Sequence, residues 1–576
     1  MFSYAATSLG RDGLAEDNPS HWPPNTSRLR PDACLPVCCT LPAGCTLLGF
    51  ACLSKAPCLA NPCCITSPMH AVGSFSRLCT PCCSLHPLVE QYTAGLDRPA
   101  TAFLSDDGSY GHVARGDYEA LLRDRGDWPE AAGLRRRADG SGMHPRHPYL
   151  GQAGRPYAVA VPNKSVAARL GGRLPDAGAV FDDLFARGTF APCPCGANAL
   201  IVFTALLATH EFFRTDEGRG EDGDGVERPW VNANSSFLDL QSLYGSNAAR
   251  TRALRDGARL RDGALGDENR LAALPTVAAI LGLFRAEHNA IVDALRRNDP
   301  AAFADDDACF EQARAIVLAI FILVVLYDYV GGINGSPRWS LERFLLNARP
   351  YAEDPVPMHG SVEFKLLYQF HASIPERWAP RDATDGAEAL LRDAIATPAG
   401  AFGARNTPRF LRAAEVKAIE WGRRVGACSY NDLREKIGLP RRTAWAQLSS
   451  DPDVRAALER HYPGGVDDLE LYVGVTVEEY DAQLVSHRGW SIPQTLYYAI
   501  RNDAVSSGLG DRFHTRGLDA AHLTEWGYDR ALTSGRLAVL VNRHTKLNLP
   551  PHADIFRAPA GAPGAGGGAR VAPAAA

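Results

Sequence analysis

Long stretches of this chain place apolar residues at steps of three and four, the spacing that gathers side chains on one face of an α-helix. The segments "ALIVFTALLATHEFF" (199–213), "LPTVAAILGLFRAEHNAIVDALRR" (274–297), "FEQARAIVLAIFILVVLYDYV" (310–330) and "TPRFLRAAEVKAIEWGRRV" (407–425) carry it, with Gly, Pro and Asp turns between them. Alternating strand patterns are scarce, and no unit recurs at a fixed period. The pattern predicts an all-α body. Its longest apolar run, Ala315 to Val330, would extend about 24 Å as a helix, short of the roughly 30 Å hydrocarbon core of a bilayer. A buried core helix is expected there, not a membrane span.

The two ends lack this periodicity. Residues 1–95 form a leader rich in Cys, Pro, Ser and Leu that is expected to be disordered, and residues 558–576 an Ala/Gly/Pro-rich flexible tail. Residues 96–557 are left as the folded domain. Cysteine marks the same division, since 11 of the 15 cysteines lie between Cys34 and Cys83. Spacings such as "CLPVCC" and "CTPCC" do not make the paired gaps of a zinc ribbon. The sparse cysteines of the body fit a reducing compartment, and the amino terminus has neither the basic start nor the apolar core of a secretory signal. The location expected is intracellular, cytoplasmic or peripherally membrane-associated, with peripheral membrane or lipid-droplet contact and an oligomer left open.

Composition narrows the function by exclusion. Among 576 residues, 46% are hydrophobic and 22% charged, with 60 Lys and Arg against 65 Asp and Glu, an ordinary globular balance. A net charge of -5 without a long basic run argues against a nucleic-acid partner. Gly218, Gly220, Gly223 and Gly225 lack the strand before and helix after that a nucleotide loop requires.

Candidate chemistry begins at "VEFKLLYQFHAS" (362–373), where Tyr368 and His371 stand three residues apart and would share one helix face. Taken alone, the segment reads as a core helix with a satisfied histidine. His210, near the end of the 199–213 helix, also reads alone as structural. Order and combination change the picture: "THEFFRTDE", "NSSFLDLQSLYGSN", "FRAEHNAIVDALRRNDP" and "GSVEFKLLYQFHASIPERW" follow one another, with "PAGAFGARNTPRFLRAAEV" and "YNDLREKIGLP" behind them. This series resembles the animal-type haem peroxidases, specifically the cyclooxygenase-like fatty acid dioxygenases of fungi, the linoleate diol synthases and psi-factor-producing oxygenases. The resemblance runs from near Arg137 to near Leu532.

The resemblance implies an all-α, peroxidase-like helical body around a buried haem b. It makes His371 the axial ligand of the haem iron, Tyr368 the radical residue, and His210 the distal acid/base. The implied cycle uses a hydroperoxide to oxidise the haem and generate a radical on Tyr368, which takes hydrogen from an unsaturated, linoleate-like fatty acid. Dioxygen adds to the carbon radical, and the peroxyl radical regains hydrogen from Tyr368 to leave a fatty acid hydroperoxide. Phe364 and Leu367, flanking the tyrosine, are candidates for the wall of the acyl channel, with ordinary helix packing as the alternative. Two other functions stay open: a haem peroxidase that oxidises small reductants with hydrogen peroxide, and an inactive haem-binding relative.

The chain departs from the family pattern at several places. Phe370 stands where tryptophan is usual before the proximal histidine, Ala286 replaces an arginine two residues before His288, and Leu206 takes the place of a distal-side glutamine. "ELYPG" appears as "ELYVG" from Glu470, and Glu211 replaces the aspartate after the distal histidine. Calcium is a secondary cofactor candidate at "TDEGRGEDGDGVERPW", where a solvated loop is the preferred reading because the acidic spacing fits no calcium loop. His288 is read as structural. The haem-thiolate monooxygenase domain that larger relatives append is not part of this sequence, so release of the hydroperoxide itself is expected unless a separate enzyme acts on it or the sequence is truncated.

Overall fold

The centre of the fold is made by α1 (Ala199–Phe212), α2 (Pro275–Asn298) and α3 (Asp306–Val324). The computed structural model describes residues 102–104, 110–112, 135–144, 148–216, 225–267, 271, 274–335, 359–376, 386–484, 489–515, 517–551 and 553–559. The leader expected over residues 1–95 lies outside the described residues, as does the tail from residue 560 onward.

Helix α1 starts at Asn198, whose side chain accepts from the Leu200 amide at 3.1 Å. Ala199 through Ala208 are all buried, so the helix is apolar around its whole circumference, as a helix threaded through a core must be. Helix α2 packs a one-sided apolar stripe against α1 and α3. On that stripe His288 is fully buried, its Nε2–H donating to the Ala258 carbonyl at 3.0 Å while Nδ1 accepts from the Tyr244 hydroxyl at 3.1 Å. Burial pulls this imidazole down to about 4. The structural reading of His288 agrees with this setting.

Helix α3 begins at the Asp305 cap with Asp306 and Asp307 in its first turn, where acidic groups complement the helix dipole. It does not stop at Val324. A π-helical turn, Val325–Tyr329, continues it into the short helix Val330–Asn334. The whole stretch Asp306–Asn334 has 29 residues and is long and apolar enough to cross a membrane, yet 83% of its apolar window is buried inside the fold. The length expected from the apolar run alone was too short, because polar residues before Ala315 extend the helix without extending the apolar pattern. The helix Glu525–Ser534 lies close on α3: a Cβ added at Gly527 would come within 2.5 Å of Ile316 Cδ1.

Strands among the described residues are short and antiparallel. One sheet joins Ala102–Leu104 to Tyr110–His112 and Ala158–Val159; another joins Arg228–Asn232 to Arg155–Pro156 and Thr215–Asp216. They tie loops to a helical body and leave the all-α assignment in place. Three further helices complete the functional region: α4 (Val362–Leu367), α5 (Arg412–Arg424) and α6 (Leu471–Val477), packed against one another.

Candidate functional site

Ser361 opens α4 by accepting the Phe364 amide at 2.9 Å, while Glu363 in the first turn accepts the amides of Ala160 and Val161 at 2.9 and 3.1 Å. The helix then ends one residue before the tyrosine. Tyr368 is its C-cap, at φ -80° and ψ 50°, and His371 opens a separate 3₁₀ turn, His371–Ser373. The expectation that Tyr368 and His371 share the face of one helix is therefore corrected. Tertiary contacts break the helix here: Thr209 Oγ1, at the end of α1, lies 3.0 Å from the Tyr368 carbonyl and 2.9 Å from that of Ala205. Phe370 is held against Trp490, with ring centroids 4.7 Å apart. The break sends the phenol and the imidazole in different directions.

Tyr368 goes inward. It is 2% exposed, and the rings of Phe370, Phe364, Phe212 and Phe213 surround it with centroids 5.0, 5.2, 6.1 and 6.4 Å away. Its hydroxyl meets that of Tyr329 at 2.9 Å. Burial pushes both phenols above the ordinary tyrosine range, so both keep their protons at neutral pH. Tyr329 is carried by the π-helical turn of α3, a local form that often marks functional sites. Nothing in the sequence pattern singles it out: it is the next-to-last residue of the apolar run that ends "VVLYDYV".

His371 turns outward from its neighbours. Its side chain is 19% exposed, whereas Phe370, Ala372 and Ser373 are buried. Nδ1 lies 2.8 Å from Glu415 Oε1 on α5, and Glu415 Oε2 accepts from the Tyr472 hydroxyl on α6 at 2.6 Å. Nε2 is thus the ring nitrogen left for a ligand. Thr209, His210, Gln369 and His371 are each partly open between buried neighbours, so the end of α1 and the 368–373 segment face accessible space. The Thr209 contact joins these two segments. Asn234 fixes the end of α1 further by donating to the His210 carbonyl at 2.7 Å. An imidazole with one nitrogen engaged, opening from an apolar core, fits a ligand of a haem iron.

The proposed channel residues are both buried. Phe364 stacks edge-on with Phe213 at 4.9 Å and belongs to the cage around Tyr368, while Leu367 closes the end of α4. Leu206 is buried in α1, and Ala286 lies on α2. Glu211, next to His210, is fully buried, with its oxygens accepting the amides of Gln241 and Ser242 at 3.0 and 3.1 Å. Burial, helped by nearby Asp239, pushes this carboxyl up to about 8. Among the described residues no group of three or more His, Cys, Asp or Glu gathers to hold a metal ion; residues 217–224 of the acidic loop lie outside them.

Comparison with known proteins gives the family and the fold. The family described as Animal haem peroxidase matches residues 261–418 and 414–549. The chain is 30% identical over 472 residues to linoleate 10R-lipoxygenase of Aspergillus fumigatus, covering 68% of this chain and 41% of that protein. It is 28% identical over 476 residues to 7,8-linoleate diol synthase of Pyricularia oryzae, covering 69% of this chain and 40% of that protein. It therefore spans about two fifths of the length of these curated relatives. Among solved structures, the fatty acid alpha-dioxygenase of Oryza sativa superposes with a TM-score of 0.63 at 17% identity, over 82% of this chain and 92% of that one, a likeness of fold.

Proposed function

Because this chain belongs to the animal haem peroxidase family, we propose that it is a haem-dependent dioxygenase which converts an unsaturated, linoleate-like fatty acid to a hydroperoxide through a radical on Tyr368. The observation that carries the reading is the placement of Tyr368: sealed in a phenylalanine cage, hydrogen-bonded to a second phenol, and three residues from an imidazole whose Nε2 is left for iron. The names of the curated relatives supply the substrate class.

In this reading haem b, when bound, would supply the one-electron oxidising power drawn from a hydroperoxide, and His371 would hold its iron. His210 is the distal acid/base that moves the peroxide proton. Tyr368 gives up a hydrogen atom, and its radical takes one from an allylic or bis-allylic carbon of the fatty acid. Dioxygen joins that carbon, and the peroxyl radical recovers hydrogen from Tyr368, so phenol and radical regenerate each other with the hydroperoxide as product. The surrounding rings exclude water from the phenol and keep competing reductants away. Phe364 and Leu367 are the proposed wall for the acyl chain, which gains roughly 0.8 kcal/mol per CH₂ that it buries.

A reducing, intracellular location is part of the proposal; Cys193, Cys195, Cys309 and Cys428 are all free thiols, which supports it. Peripheral membrane contact suits a lipid substrate. Oxygen uptake on adding linoleate to the haem-loaded protein tests the function. Uptake with a hydroperoxide product is expected; peroxide-dependent dye oxidation without uptake would replace it with a peroxidase acting on small reductants, and neither would leave a haem-binding protein.

A further inference from the structure

Three elements meet behind His371. The imidazole comes from the 3₁₀ turn, Glu415 from α5 and Tyr472 from α6. Glu415 is 1% exposed and its two oxygens are divided between two partners, Oε1 to His371 Nδ1 at 2.8 Å and Oε2 to the Tyr472 hydroxyl at 2.6 Å. Each partner is itself fixed. Tyr472 packs edge-on against Phe185 at 5.7 Å, and burial with the adjacent carboxylate pushes its phenol well up, so the phenol acts only as donor. His371 is fixed by the 3₁₀ turn, where the Ile374 amide donates to its carbonyl at 3.2 Å.

A carboxylate in such a place is costly unless its lone pairs are used. Glu415 stands on the buried stripe of α5 with Ala418, Ile419 and Gly422, at helical steps where an apolar residue would ordinarily pack. With Oε2 engaged by a phenol that only donates, Oε1 is directed to accept from Nδ1–H. That acceptance selects one tautomer of His371, with the Nε2 lone pair facing the open side, and draws the ring toward imidazolate character. A carboxylate behind a metal-bound histidine does both: it orients the ring and raises its basicity.

We propose that Glu415 is a positioning residue that sets the tautomer and donor strength of His371 toward the haem iron, and that Tyr472 holds Glu415 in the orientation this requires. The inference rests on the haem-ligand role of His371. A stronger histidine donor stabilises the more oxidised iron, so the pair biases the bound cofactor toward the oxidising half of the reaction with peroxide.

The test uses the iron–histidine stretching band of the ferrous holoenzyme in resonance Raman, together with the ferric/ferrous midpoint potential and haem retention. Glu415→Gln should lower the band, raise the potential and weaken haem retention by about 10–100-fold, the usual consequence of losing such an outer partner. Tyr472→Phe should move both spectroscopic readings in the same direction by less, and Glu415→Asp should restore part of the wild-type band. A merely structural Glu415 would leave band and potential at wild-type values in haem-loaded Glu415→Gln, and that result overturns the inference while leaving His371 as ligand. Should Glu415→Gln fail to fold, Tyr472→Phe still decides, because an unchanged band there removes the coupling. A wild-type holoenzyme without any iron–histidine band sinks the ligand assignment itself, and is recognised before a variant is made.

Discussion

The hydroxyls of Tyr329 and Tyr368 lie 2.9 Å apart inside the core, one carried by the π-helical turn at the end of α3 and the other by the residue that ends α4. Burial keeps both phenols neutral, so in the proposed mechanism hydrogen would leave Tyr368 as proton and electron together, with the Tyr329 hydroxyl still within hydrogen-bond reach of the oxygen left behind. Under the proposed function this pairing gives the two tyrosines different roles, Tyr368 as the reacting phenol and Tyr329 as its support.

Tyr368→Phe keeps the ring in its cage and removes the hydrogen donor. Haem binding should survive, with about 1–2 kcal/mol of stability lost because the Tyr329 hydroxyl loses its partner. Linoleate-dependent oxygen uptake should fall to the background of free haem. Soret absorbance and uptake measured on the same preparation check this; normal uptake by a haem-replete variant would end the radical mechanism.

Tyr329→Phe should slow oxygenation without abolishing it. One hydrogen bond contributes about 0.5–1.5 kcal/mol, equivalent to roughly a 2–10-fold change in rate. The steady-state rate of hydroperoxide formation is the reading, and a complete loss would show that Tyr329 itself takes part in the chemistry.

The two histidines should behave differently. His371→Ala removes the axial imidazole and should abolish or strongly shift the Soret band, whereas His210→Ala should keep haem and react slowly with peroxide. Stopped-flow mixing of each variant with peroxide resolves the two effects, and an exchanged pattern would mean that ligand and acid/base are interchanged.

Much of this was legible in the sequence, for reasons specific to each residue. The ordered motifs singled out His210, Tyr368 and His371 as candidates, and the unbroken apolar run marked α3 as core. The break after Leu367 could not be read, because Thr209 and Trp490, which hold the segment, lie 159 and 120 positions away from Tyr368 and Phe370 and act only once the chain is folded. Glu415 did leave a signal: an acid placed at the same helical phase as Ala418, Ile419 and Gly422. Tyr472 lies within "ELYVG", whose departure from the family motif falls on the next residue, Val473.

Stability should decline on the alkaline side of pH 6.5. Burial raises Glu211 to about 8 and Glu363 to about 7, above the 4.5 of an unfolded glutamate. The folded state thus holds protons that the unfolded state has released, and stability falls as pH climbs through these values. The buried histidines His288 and His514, lowered to about 4, titrate in the opposite sense but only below 6.5. Melting temperature should drop between pH 6.5 and 8.5, and Glu363→Gln should flatten that slope; a rise over the same interval would contradict the burial of these two acids.

The π-helical turn Val325–Tyr329 gives the site a dependence on residue count as well as residue type. A π turn holds one residue more than the α-helix it interrupts, and one residue corresponds to about 100° of rotation. Losing any single codon within those five positions, even one for an interchangeable aliphatic, would let the segment relax to regular α-helix. Tyr329 would then swing off the axis that points it at Tyr368, or Val330–Asn334 would be dragged round to compensate. Substitutions at Val325 or Leu326 that keep the length are spared this penalty, so natural variation in this stretch is expected to alter its spelling far more freely than its length.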